Sequence, residues 1–162
     1  MMAGVAQKGG HVRSRAVSVA SVLATVALLF GCGSSDTTSQ FKSGYNALRG
    51  PLNQTGQEIA AAINQAPKQT DAQVEQTFRS IAERFQSQVS KLQTLKPPSN
   101  VAADWNSVVS AATRMETDLN AIAAAAATHS ASAAKQAGAS LVQDAQSLTA
   151  AAAPVKSKLG LK

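Results

Sequence analysis

Between Val74 and Leu95 the apolar residues fall at Val74, Phe78, Ile81, Phe85, Val89, Leu92 and Leu95, stepping by threes and fours. An α-helix turns once every 3.6 residues, so these side chains share one face. Glu75, Arg79, Glu83, Gln86, Ser90 and Gln93 share the other. A helix with one apolar face has to cover that face with other elements. Thr70 with Gln73 three residues on is a capping-box pattern, Glu75 and Arg79 stand in the favourable i,i+4 order, and Pro97-Pro98 closes the segment. The spacing predicts a helix starting just after Thr70, and around it the rest of the chain has to pack.

Three more stripes are present. The first runs Phe41, Tyr45, Leu48, Leu52, Ile59, Ile63 and Ala66, is interrupted by Gly50-Pro51 and ends at Pro67. Proline lacks the helical donor and disfavours helix before it, which predicts a kink at Pro51 or a second helix starting there. The third begins near Asn100 and runs Val101, Trp105, Val108, Ala112, Met115, Leu119, Ile122 and Ala126. The fourth runs Ala134, Ala137, Leu141, Ala145, Leu148, Ala152, Val155 and Leu159. Thr128-His129-Ser130 is the expected turn between them, and Pro154 is expected to end or kink the last helix. Four one-faced helices with short connections predict an all-α fold, an antiparallel bundle of about four helices over residues 41–162. Aromatic residues make up only 4 % of the chain, and the third and fourth stripes use Ala where the second uses Phe and Leu. Small residues let helix axes approach, so the expected bundle is tight and slim.

The N-terminal part reads differently. Lys8, Arg13 and Arg15 are followed by AVSVASVLATVALLF at residues 16–30, a run with no charge. A basic start and an apolar run of this length form a signal-peptide pattern; a membrane-spanning helix needs about twenty apolar residues. Ser14 separates Arg13 from Arg15, so the twin-arginine pattern is absent. The run ends in Leu29-Phe30-Gly31-Cys32, and Cys32 is the only Cys of the chain. These four residues resemble the lipobox of bacterial lipoproteins. The resemblance implies a diacylglyceryl group on the Cys32 sulfur and cleavage before it. Residues 1–31 are then a signal peptide, and residues 32–40 carry the lipidated Cys and a small polar stretch, GSSDTTSQ, expected as a flexible tether. Two acyl chains hold a protein stably where one holds it marginally. The expected location is the extracytoplasmic side of the cell membrane.

Charge and site chemistry exclude more than they assign. The formal charge is +6, but Lys8, Arg13 and Arg15 fall in the removable segment, and the remaining charges are spread along the chain. Lys156, Lys158 and Lys162 at the tail suit a solvated helix end; attraction to anionic headgroups is the alternative. No aromatic-basic interleaving points to nucleic acid. Beyond Cys32 there is one His, His129, assigned to a solvated turn. One His and scattered carboxylates predict no metal, and no cofactor motif is present. Glu116 and Asp118 are two apart and point to different faces, and Glu75 and Glu83 lie on a polar face, so no acid pair is set up. No G-x-S-x-G accompanies the many serines. The sequence therefore predicts no catalytic residues and no enzyme. Trp105 and Met115 are assigned to the core, and the Ala123–Ala127 run to close helix packing.

Leu92-Gln93-Thr94-Leu95-Lys96-Pro97-Pro98, followed by Asp104-Trp105, stands in a helical domain behind the lipobox. In this the chain resembles small, alanine-rich lipoproteins of actinobacteria. The resemblance implies an envelope location and a helical bundle, and it brings no catalytic residues. Two functions fit. A membrane-anchored, monomeric module could present a helix face to an envelope protein. Alternatively, a small apolar or amphipathic ligand could lie between helices. A pocket needs large apolar residues around open space, and the Ala-rich third and fourth helices place the interaction module first.

Overall fold

The computed structural model describes residues 33–161, with side chains from Asp36 onward. The signal-peptide reading of residues 1–31 and the lipidation of Cys32 lie outside the described residues. Four long helices follow one another: α1 (Gly33–Gln65), α2 (Asp71–Thr94), α3 (Ala102–Ala127) and α4 (Ala131–Leu159). Short 3-10 turns at Ala66–Lys68 and Ser99–Val101 precede α2 and α3, and the described residues contain no strand. The chain is an all-α bundle.

The start of α2 is set by the predicted reciprocal cap. Gln73 N–H donates to Thr70 Oγ1 at 3.3 Å, and Thr70 N–H donates to Gln73 Oε1 at 2.9 Å. Arg79 pairs with Glu75 one turn back. The turn between α3 and α4 falls at Thr128–His129, as expected. His129 takes a left-handed backbone, φ 54°, tolerated by His more readily than by branched residues. Its Nδ1 lies 2.6 Å from Asp71 Oδ2, tying this turn to the first turn of α2.

Three expectations are corrected. Residues 33–40 are the first turns of α1, not a tether. Once Phe41 is buried as an anchor, extending the helix backward adds a bond for each residue fixed, and Asp36 complements the dipole in the first turn. α1 is also one helix through Pro51, so no second helix starts there. Leu48 is buried and Leu52 half-buried on either side of it, and Gln88 Nε2 donates to the Pro51 carbonyl (3.3 Å) and to Thr55 Oγ1 (2.8 Å). Likewise α4 does not end at Pro154 but runs on to Leu159, held by the buried Val155 and Leu159. It ends at Gly160, whose left-handed φ of 63° lets Leu161 N–H reach the Lys156 carbonyl at 2.9 Å.

The fourth correction concerns shape. Backbone packing joins each helix to the next in sequence, α1 to α2, α2 to α3 and α3 to α4, and α1 and α4 have no comparable backbone contact. Inter-helix ion pairs follow the same order: Glu58–Arg84 between α1 and α2, Arg114–Asp144 and Asp104–Lys158 between α3 and α4. Ala123 and Ala126 do let α3 pack closely, as small residues should. The same smallness on α4 leaves its Ala145 and Ala152 too short to reach α1. The bundle is tight on three sides and open on the fourth.

Candidate functional site

Burial along the stripes shows where the opening lies. On α2 the stripe from Val74 to Leu92 is buried, and the third stripe is buried throughout, from Val101 in the turn before α3 to Ala126. On α1 and α4 several members are only half-buried: Leu52 and Ile63 on either side of the buried Ile59 on one, Ala145, Leu148 and Ala152 on the other. These side chains face each other across a cleft. It comprises two adjoining cavities of about 590 and 630 Å³ that share Gly56, Ile59, Ala60, Met115, Ala145 and Thr149. Small-molecule sites commonly run from about 300 to 1,000 Å³. Val142, the one large apolar residue exposed among the described residues, stands on the rim at 49 % exposure.

The floor is built from the inner helices. Met115 and Trp105 of α3 and Phe85 and Leu92 of α2 line it from below. Trp105 is held by edge contacts with Phe41 (centroids 4.9 Å, 86°) and Tyr45 (6.2 Å, 69°). Such pairs fix ring orientation as well as burying area. Trp105 is 2 % exposed, yet its indole Nε1–H has no hydrogen-bond partner. A buried donor without a partner is uncommon; the Trp105 side chain lines the cleft, while its Nε1 is itself buried. Assigning Trp105 and Met115 to the core is thus correct, and both also have a second surface.

The walls grade from polar to apolar. At the end nearer the start of α1 the lining includes Tyr45, Arg49, Asn53 and Lys156; at the other end it is Ile63, Leu141 and Val142. No Asp or Glu lines either cavity. Burial holds the Tyr45 hydroxyl above the ordinary tyrosine value, with Arg49 pulling the other way, so it remains a donor at neutral pH. Gly56 lies mid-cleft on α1, and a Cβ built there would meet nothing within 4 Å.

The acids and His129 sit elsewhere. Asp118 and Asp144 come near each other across α3 and α4, and Arg114 Nε donates to Asp144 at 2.8 Å. Burial first, then Asp144, raises the Asp118 carboxyl above the usual carboxylate range, while Arg114 opposes this. Sequence spacing compared Asp118 with Glu116 on its own helix and could not show the neighbour on α4. A hollow of about 430 Å³ beside this group is lined by Ser110, Arg114 and Ser147, and the Arg114 guanidinium is already committed to Asp144. His129 stands exposed at the α3–α4 turn, paired with Asp71. Among the described residues no group of three His, Cys, Asp or Glu side chains is placed to hold a metal ion, and no helix is long and apolar enough to cross a membrane. Cys32 immediately precedes Gly33, the first residue of α1. Comparison with protein-family models, curated proteins and solved structures gives no match to the chain.

Proposed function

We propose that the protein is a lipid-anchored binding protein of the cell envelope, and that the α1–α4 cleft receives an apolar or amphipathic small molecule. The observation that carries the reading is the cleft itself: an apolar furrow of ligand size over a floor of Trp105 and Met115, beside a buried indole donor with no partner in the protein. The anchor rests on the sequence alone, on Leu29-Phe30-Gly31-Cys32 behind a charge-free run. Through it the domain is attached to the membrane by Cys32, on the extracytoplasmic side. No residue has a catalytic role in this reading.

A protein-interaction module, placed first on sequence grounds, becomes the second reading. The argument that put it ahead was the lack of internal volume, and the open α1–α4 side removes that argument. What still favours it is Val142, an exposed apolar side chain on the rim. Purifying the protein from membranes and extracting the preparation with organic solvent separates the two. A small apolar compound recovered with the wild type and lost from Gly56→Leu supports the binding protein. A cleft free of such a compound, with one stoichiometric protein partner whose binding Val142→Asp abolishes, supports the module.

A further inference from the structure

The cleft has a charge direction that an uncharged ligand would not use. Arg49 of α1 and Lys156 of α4 line the same cavity from opposite walls. Every other charged residue is absent from the lining of both cavities. Arg79, Arg84, Arg114 and Lys158 are each committed to an acid, whereas neither Arg49 nor Lys156 makes an ion pair with any described residue. Two cations lining one apolar furrow, with no acid in its lining, suit an anion between them. Tyr45 and Trp105 line the same cavity.

The remainder of the furrow is apolar and long. From Arg49 to Ile63 along α1 is about 21 Å at 1.5 Å per residue. One leaflet of a bilayer's hydrocarbon is roughly 15 Å thick, half of the core. An acyl chain laid from the cationic end can therefore be covered along its length by Leu52, Ile59, Ile63, Leu148 and Leu141. The cationic end of the furrow is the one toward the start of α1, with Arg49 at the middle of that helix.

Resting on the reading of the cleft as a ligand site, we infer that its ligand is an anionic single-chain lipid, with the acidic head between Arg49 and Lys156 and the chain running toward Ile63 and Val142. Arg49 offers a planar fork that suits a carboxylate or a phosphate, and Lys156 a mobile point charge. Burial keeps the Tyr45 proton in place, so it donates to the head rather than repelling it.

Trp105 is the only Trp of the chain and lines the site, so its fluorescence is a local reporter. The full chain, held in nanodiscs of neutral phosphatidylcholine, is titrated with a brominated 12-carbon carboxylate, the matching brominated alcohol, and lysophosphatidylglycerol carrying a brominated chain. The proteins compared are the wild type, Arg49→Gln/Lys156→Gln and Gly56→Leu. The expected result is half-quenching by the carboxylate at about one-tenth of the concentration needed in the charge variant, with the alcohol titration unchanged between those two proteins. Raising the salt should narrow that gap. In Gly56→Leu, which fills the furrow, saturable quenching should be lost for all probes. A lower half-quenching concentration for the lysophosphatide than for the carboxylate, again lost in the charge variant, supports the inference with a phosphate head. Saturable quenching by carboxylate, lysophosphatide and alcohol alike, untouched by Arg49→Gln/Lys156→Gln, overturns the anionic head and leaves the cleft as a site for neutral apolar ligands. Absence of saturable quenching by any probe overturns the ligand site and the inference with it.

Discussion

Filling a protein interior with extra atoms normally destabilises it, by about 1–3 kcal/mol in a well-packed core. Gly56→Leu should do the opposite. Gly in a helix interior is about 0.8–1 kcal/mol worse than Ala, and Leu is nearly as good a helix former as Ala. A Cβ at Gly56 meets nothing within 4 Å, and the residue shares the lining of both cavities with Ile59, Met115 and Ala145. Full burial of a Leu side chain is worth roughly 1.5–3 kcal/mol; half-burial in an open furrow gives about 1. The two contributions sum to about 2 kcal/mol of added stability, or several degrees in Tm for a domain of this size. Gly44 on the same helix is the control. There a Cβ would lie 2.5 Å from Leu95 Cδ2, so Gly44→Ala has the same propensity gain set against a clash that Leu95 must relieve by moving. Thermal and urea unfolding of Gly56→Leu, Gly56→Ala and Gly44→Ala measures all three. Gly56→Leu should rank first and Gly44→Ala last. Destabilisation by Gly56→Leu would mean that α1 and α4 close on each other in solution, and the cleft would not exist.

Phe78 and Arg79 are neighbours on opposite faces of α2, the first 1 % exposed and the second paired at the surface. Phe78→Ala should cost about 3–5 kcal/mol and Arg79→Ala well under 1 kcal/mol, read by urea unfolding. The raised Asp118 carboxyl means that the folded state binds more protons than the unfolded chain between the ordinary aspartate value and the higher folded one. Stability should therefore fall as pH rises through that window and stay lower above it. Asp118→Asn should be more stable than wild type at pH 7, by under about 1 kcal/mol, with the difference shrinking toward pH 3. Cys32→Ala should abolish incorporation of a fatty-acid probe and leave the precursor uncleaved; labelling equal to the wild type would remove the anchor from the account.

The stripes on α2 and α3 were legible because large or closely spaced apolar residues there have a single destination. The cap at Thr70 and the turn at His129 were legible because each depends on a few adjacent residues. A helix boundary at Pro51 or Pro154 is what local propensity alone predicts; the anchors beside them, Leu48 and Leu52 for the first and Val155 and Leu159 for the second, carry the helix through. A lost backbone bond is tolerated where neighbours packed on the core hold the helix direction. The GSSDTTSQ stretch misled in the same way, since Phe41 gives α1 a point from which to grow backward. The cleft was hidden for a different reason. Alanine at a stripe position says that a side chain is short, and only the backbone separation decides whether shortness gives close packing, as at Ala123, or a gap, as at Ala145. Arg49 and Lys156 lie far apart in the chain, on helices that are not sequence neighbours, so no spacing rule could join them. Cys32 was the reverse case, legible from four residues and their position alone.

The central claim is that the α1–α4 cleft, and no other surface, takes up an amphiphile. The backbone amide and indole resonances of the isotopically labelled protein test it most directly, because the single Trp gives one indole N–H signal, from the buried Nε1 of Trp105. On titration with dodecanoate this signal should move, together with the amides of Gly56, Gln57, Ala145 and Thr149, while those of Glu83 and Gln86 on the outer face of α2 stay in place. A stationary indole signal, or shifts centred on the outer face of α2, would contradict the account.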